Sequence, residues 1–459
     1  MQSKEKFKIT VREISDLAFS NAINKLRSEI TKNPDIRKWN EKLRSKFKHF
    51  VHDGFKGAQL KLVEEISNYQ KVLIENKAKL KQARITKDKT SEKDHRNQIN
   101  EIENRLKILF HIGDGIAWQL FGAQVYRIRR FYINESQKTL DESNIKHALE
   151  IASVINKNPD DFALITDITN FIQISDLIVL KDNQLGILEL KEGKINDELI
   201  KLKKDLFAAG KVEEKIKEIG GNLNPKMLEQ FFRMIRQEIR MIQTVEVLNK
   251  DKGTDVKTGK EIKILNPKHI TETYSNKIAE TFSKLKDQNW AYDIDSGGII
   301  HIGVYKPEAY ILSTVAIPSL LNECKFKVII DFSSIQKNLS EPLFAKPFPP
   351  EVISDLLFDD IRIILGFDLD KFFNDFEHFF KVKTKVLSRK ETMKLKEIDK
   401  VNSKNIFEIK NQAFELTDIE TGNSMILGGG IISKLIYDNI SPLTLYLNMK
   451  ETLQTNLNQ

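Results

Sequence analysis

Three features of the chain predict an α+β fold. Residues 1 to about 130 carry apolar side chains at helical spacing with almost no proline. A stretch near residue 180 packs branched apolar residues into two short runs around a polar break, the pattern of a β-hairpin. The last third alternates strand-like runs with Phe-rich helical ones. A length of 459 residues suits about three domains. The expected division is an N-terminal helical arm over 1–135, a central core over 136–250 whose end stays open as far as 305, and a mixed α/β C-terminal domain over 260–459.

Within the arm, Ile66, Leu73 and Leu80 stand seven apart, as do Leu62 and Tyr69. After the polar break Arg84–Arg96, Ile99, Ile102, Leu106 and Leu109 repeat at three and four. This spacing predicts an antiparallel helical hairpin, coiled-coil-like, with a dimerisation or spacer role. A DNA-embracing arm carried by Lys77, Lys79, Lys81 and Arg84 stays open beside it. His111 and Asp114 sit together in an apolar helix and read as a buried or capping pair rather than a catalytic one. A helix over Thr139–Asn156 turns Leu140, Ile145, Leu149 and Ile151 inward and carries Glu150. Asn158-Pro159-Asp160-Asp161 breaks it. Phe162–Thr169 follows as a strand, with Asp167 placed to cap the Thr169-Asn170 turn.

The hairpin itself runs from Ile174 to Lys191, with Leu177–Leu180 and Leu185–Leu188 flanking Lys181-Asp182-Asn183-Gln184. Strand alternation puts Asp176, Ile178 and Leu180 on one face of the first strand, and Leu185, Ile187, Glu189 and Lys191 on one face of the second. Ionisable groups in such apolar strands are costly to bury unpaired. Two carboxylates brought together repel, and a divalent cation between them removes that conflict. Hard oxygen ligands suit Mg²⁺ or Mn²⁺. Lys191 could hold a water and steady charge building on a phosphate.

Asp176, a twelve-residue gap, then Glu189-Leu190-Lys191 resembles the PD-(D/E)xK nuclease superfamily, with Ser175 where the pattern has proline. The resemblance implies a restriction-endonuclease-like αβββα core. It makes Asp176 and Glu189 metal ligands, gives Leu190 a ligand role through its backbone carbonyl, and makes Lys191 the catalytic lysine. Glu150, on the helix before the first strand, is the candidate for a further ligand, with a solvent-facing role as the alternative. The implied activity is divalent-metal-dependent hydrolysis of phosphodiester bonds, endonucleolytic and in double-stranded DNA. Long flanks around a small core are similar to the layout of prokaryotic restriction or antiviral-defence nucleases. A non-catalytic nucleic-acid-binding or assembly protein, or an RNA-cleaving toxin on the same core, remains the alternative.

Asn224-Pro225 starts a further helix in which Phe232, Ile235, Ile239 and Ile242 form one stripe and Arg233, Arg236 and Arg240 another. Those arginines, with Lys194, are candidate phosphate contacts; salt bridging to Glu229 and Glu238 explains the arginines equally well. Lys250–Lys263 reads as a linker, Ile270–Lys286 as a helix, and Trp290–Asp293 with Ile299–Tyr305 as a second hairpin. His301 in that hairpin reads as core or edge rather than ligand. Lys325–Phe332 reads as a strand, Ile353–Leu365 and Leu369–Phe380 as helices, and Ile406–Leu416 and Met425–Tyr437 as strands. No lysine follows Gly428-Gly429-Gly430 at P-loop spacing, which argues against a nucleotide site.

The net charge of +8 and pI near 9.0 favour a polyanionic partner mildly, since both signs are abundant. One cysteine, Cys324, excludes an internal disulfide and a cysteine-rich zinc site. No secretory signal or bilayer-length apolar run is visible, so a cytoplasmic protein is expected. Paired active sites cut a duplex, so a homo-oligomer or a partner protein joined through the N-terminal helices is expected too.

Overall fold

Two long helices form where the heptad-spaced residues lie. The computed structural model describes residues 3–35, 38–122, 145–172, 175–182, 184–190, 225–254, 261–263, 271–332, 342–398 and 406–455, with the single residues Ile128, Phe131, Leu140 and Gly259. The chain divides into two units, Met1–Leu265 and Asn266–Gln459. In the first, α1 spans Lys4–Ser15, α2 Glu41–Ile85 and α3 Lys89–Leu120. Asn40 caps α2 by accepting the Leu43 amide at 2.9 Å, and Asp88 caps α3 by accepting those of Thr90 and Ser91. The turn between them is only Thr86-Lys87-Asp88, with Lys87 at φ +57°. Much of the polar break read from sequence is therefore the first turns of α3. Leu62, Ile66 and Tyr69 are buried on α2, and Ile99, Ile102, Leu106 and Leu109 on α3. Arg105, only 5% exposed, lies over the Phe7 ring of α1 and donates to the Tyr69 hydroxyl at 3.0 Å. A buried guanidinium is tolerable there because Glu101 also accepts from it.

The helix α4 (Ile145–Ile155) leads into an antiparallel three-stranded sheet of β1 (Phe162–Ile165), β2 (Leu177–Lys181) and β3 (Gln184–Leu188), in that spatial order. The first strand is shorter than expected, because Thr166–Ile168 turns into a 3-10 helix. Lys181 pairs with Gln184, and Asp182 takes φ +50°, as a two-residue hairpin turn requires. The edge strand β1 does not end in open backbone. The buried Gln59 of α2 accepts the Ile165 amide at 2.8 Å and donates to the Ala163 carbonyl at 3.1 Å, covering that edge with a helix.

The next helix, α5 (Pro225–Lys250), packs against β3, and Asn249 donates to the Leu185 carbonyl at 3.2 Å. Its buried face is Phe231, Met234, Met241, Thr244, Val247 and Leu248. The stripe expected from sequence is displaced: Ile239 and Ile242 are exposed. An apolar helix offers more than one stripe, and the partner surface decides which is buried. Lys250–Lys263 is not a plain linker either, since β4 (Lys252–Thr254) pairs with β5 (Glu261–Lys263).

The second unit is built on a four-stranded antiparallel sheet. Its strands are β6 (Trp290–Asp295), β7 (Ile300–Tyr305), β9 (Arg362–Asp368) and β8 (Lys327–Asp331), in that spatial order. Arg362–Asp368 was expected to end a helix; only Pro350–Leu357 is helical there. The Tyr310–Leu320 helix crosses β7 and β9, burying Ile317 and Leu321 against Tyr305 and Ile364. Gly366 permits that crossing, because a Cβ there would stand 2.4 Å from Ile317. A second small sheet joins Val382–Val386, Gln412–Asp418, Glu408–Ile409 and Ser424–Ile426. The stretch Met425–Tyr437 splits, with a strand to Ile426 and a helix over Gly429–Tyr437. Among the described residues, no helix is long and apolar enough to cross a membrane.

Candidate functional site

Asp176 stands just before β2, where the ladder changes register. Its carbonyl accepts the Thr166 amide at 3.0 Å, in step with the β1–β2 pairing. Its own amide donates to the Leu188 carbonyl at 3.1 Å, although the ladder partner of Leu188 is Leu177. Two residues of the first strand thus lie against one of the second, a β-bulge. A bulge re-aims the side chain it carries, so simple alternation no longer locates the Asp176 carboxylate. Its hydrogen bond does: Oδ2 accepts the Leu190 amide at 2.6 Å. The acid is therefore bound to the middle residue of Glu189-Leu190-Lys191. Glu189 itself follows β3 directly and is half-buried. Further down the hairpin, Ile178 faces Ile187 and Leu180 faces Leu185, as alternation predicts.

The loop that delivers Asp176 is held from α3. The Asp114 carboxylate accepts both the backbone amide and the side-chain amide of Asn170, each at 2.7 Å. Beside it Gly113 lets the loop come close, since a Cβ there would lie 2.0 Å from the Ile168 carbonyl oxygen. Burial pushes the Asp114 carboxyl up to about 7 and the His111 imidazole down to about 4. Their 3.9 Å approach is therefore no ion pair between those values, since both groups are neutral there. Asp114 is a loop anchor whose signal in the sequence was a lone acid in the run Ile112–Trp118.

The remaining expected residues are placed as follows. Glu150 is on the exposed side of α4, opposite the buried Ala148 and Ala152, with no described contact to Asp176 or Glu189. Arg233 and Arg236 are exposed on α5 and Arg240 is half-buried. Lys191 and Lys194 lie outside the described residues. In the second unit, both ring nitrogens of His301 are engaged, with the Tyr292 hydroxyl at 2.7 Å and the Gly298 carbonyl at 3.1 Å. Cys324, Asp368 and Asp370 bring their ligand-type atoms within 4.8 Å of one another. The two acids there already serve the backbone: Asp368 accepts the Lys371 amide, and Asp370 those of Lys325 and Phe326.

The half-buried carboxylates of Asp176 and Glu189 and the Leu190 carbonyl are hard-oxygen donors, of a kind that suits Mg²⁺ or Mn²⁺ and not a soft metal. The Leu190 amide bond on one Asp176 oxygen orients the acid, and a carboxylate offers about four lone-pair sites in all. Compared with known proteins, the chain matches no family model, no curated protein and no solved structure.

Proposed function

We propose that the protein is a divalent-metal-dependent nuclease hydrolysing phosphodiester bonds in DNA. The observation that carries this reading is the bulge at Asp176, which ties its carboxylate to the Leu190 amide beside Glu189. In this reading Asp176, Glu189 and the Leu190 carbonyl hold Mg²⁺ or Mn²⁺. The bound ion supplies Lewis acidity toward the phosphate and a water of lowered pKa. Lys191 positions the attacking water and steadies the negative charge growing on the phosphate. Asp114 and Gly113 hold Asn170 and Ile168 close to α3, a few residues before Asp176 in the chain. Water adds across the P–O bond and leaves a phosphate monoester and a hydroxyl. Cutting both strands takes two such sites, which calls for pairing of two copies. A role in prokaryotic restriction or antiviral defence follows from the layout of long flanks around a small core.

The test is incubation with supercoiled, linear and single-stranded DNA, and with RNA, in Mg²⁺ or in EDTA. Expected is DNA cleavage that EDTA and Lys191→Ala both abolish while the melting curve is unchanged. Equal cleavage by the Lys191→Ala protein would overturn the assignment, and preferential cutting of RNA would move the substrate.

A further inference from the structure

The charge of this chain is not spread along it. Residues 1–61 carry fifteen Lys and Arg side chains against seven Asp and Glu, so the whole excess of +8 lies there and the rest of the chain balances. We propose that the exposed cations between Lys25 and Lys46 form a surface for the phosphate backbone of double-stranded DNA. The inference extends the nuclease reading by naming the surface that holds the substrate, and it is measured without cleavage.

Lys25, Arg27, Lys38, Lys42, Arg44 and Lys46 are all exposed. They belong to the helices Asn21–Lys25 and Arg27–Lys32, to the turn at Lys38 and to the start of α2. The fold draws these pieces together. The Lys25 and Lys46 ammonium groups lie 4.7 and 5.9 Å from the centroid of one ring, Phe50. Asn21 ties the first helix to the Phe50 carbonyl at 2.6 Å. The buried Trp39 fixes the turn before α2, donating to the Asn33 carbonyl at 2.7 Å and packing edge-on against Phe47. Lys42 and Lys46 then stand one helical turn apart. The acids paired with them, Glu29 at 3.4 Å from Lys46, Asp53 at 4.0 Å from Lys25 and Asp35 at 4.0 Å from Lys38, make solvent-accessible pairs that do little to hold the cations back.

Like charges gathered this closely repel unless a polyanion meets them. A lipid surface is the less suitable polyanion, because it is bound by inserting exposed aromatic and apolar side chains. No described aromatic residue of 1–61 is exposed, and no described large apolar side chain between Lys25 and Lys46 is either. The surface also sits on the helix that carries Gln59, the residue covering β1. Lys46 is about 20 Å from Gln59 along α2 at ~1.5 Å per residue. The same rigid element thus supports both the basic surface and the sheet.

The experiment is fluorescence anisotropy of the full chain with a labelled duplex of about 25 base pairs in EDTA, between about 50 and 200 mM salt. Lys38→Gln/Lys42→Gln/Lys46→Gln is compared with Lys77→Gln/Lys79→Gln/Lys81→Gln, an equal charge change at the far end of α2. The first variant is expected to bind at least tenfold more weakly, with a log–log salt slope shallower by about 3, at ~0.9 per phosphate contact. The second is expected to stay within twofold of the parent. Lys46 touches Phe50, so Lys38→Gln/Lys42→Gln serves if the triple variant melts early, with a slope change of about 2. Unchanged binding by the first variant, or equal losses in both, overturns the proposal. So does loss of binding to phosphatidylserine vesicles with DNA binding intact. Weakened binding with no cleavage by the parent would leave this surface standing and remove the nuclease reading; cleavage with unaffected binding would do the reverse.

Discussion

Acids gather at strand ends in both units, and what they bind differs. In the second unit, Asp370 takes the amides of Lys325 and Phe326 on one oxygen, and Asp368 caps the Leu369–Phe380 helix. Those carboxylates stitch the start of β8 to a helix N-terminus, a role that a helix dipole and free amides fully explain. At the Asp176 bulge the carboxylate accepts the amide of Leu190, the residue that follows Glu189 in the chain. A backbone-capping acid is spent on the fold, whereas in the proposed reading the acid turned by the bulge also serves a cation. The comparison teaches that proximity of acids says little until their backbone partners are counted.

The largest expected difference between the two regions is in activity. Asp176→Asn keeps an oxygen for the Leu190 amide, so the fold should melt within a few degrees of the parent. Mg²⁺-dependent DNA cleavage should fall roughly 10²–10³-fold. Asp368→Asn should cleave at the parental rate, and a comparable loss from Asp368→Asn would reverse the roles assigned to the two clusters.

A smaller effect concerns pH. The Asp114 carboxyl is pushed by burial to about 7, above its unfolded value near 4. Its contribution to stability is therefore complete below about pH 4 and is lost as pH rises toward 7. His111 and His52, both lowered to about 4 by burial, run the other way. Their contribution is complete above about pH 6.5 and is lost as pH falls toward 4. Between those values the groups oppose each other. Asp114→Asn removes one side, so thermal melts should show a steeper loss of stability from pH 6.5 to 4 than the parent. An unchanged pH profile would mean that Asp114 is ionised in the fold and paired by Asn170 alone.

The smallest effect is structural. Asp370→Ala strips a partner from two backbone amides and should cost about 1–2 kcal/mol. Differential scanning calorimetry should show this as a lower transition for the second unit, with DNA cleavage untouched.

Much of this was legible in the chain. The heptad-spaced leucines and isoleucines gave the α2–α3 hairpin, and the two apolar runs around Asp182 gave β2 and β3, because both patterns repeat one period without competition. The run Arg362–Asp368 was not legible. It is apolar on both faces because it lies between β7 and β8, and such a run reads equally well as a buried helix. Gly429–Tyr437 misled in the opposite sense, since its paired isoleucines favour strands while the packing made a helix. At the candidate site, the residue types and spacing of Asp176 and Glu189 were readable, but the bulge that aims Asp176 was not. A register change depends on hydrogen bonds across strands, which the order of side chains does not encode. The Asp114–Asn170 anchor escaped for the same reason, joining residues far apart in sequence.

The central claim is that Asp176 and Glu189 together hold a divalent cation. Isothermal titration of Mn²⁺ into the full chain, its Asp176→Asn and Glu189→Gln variants, and Asp368→Asn tests it most directly. The account predicts saturable binding by the parent and by Asp368→Asn, weakened at least tenfold by either Asp176→Asn or Glu189→Gln. Parental binding that both of those variants retain, or that Asp368→Asn alone destroys, would contradict it.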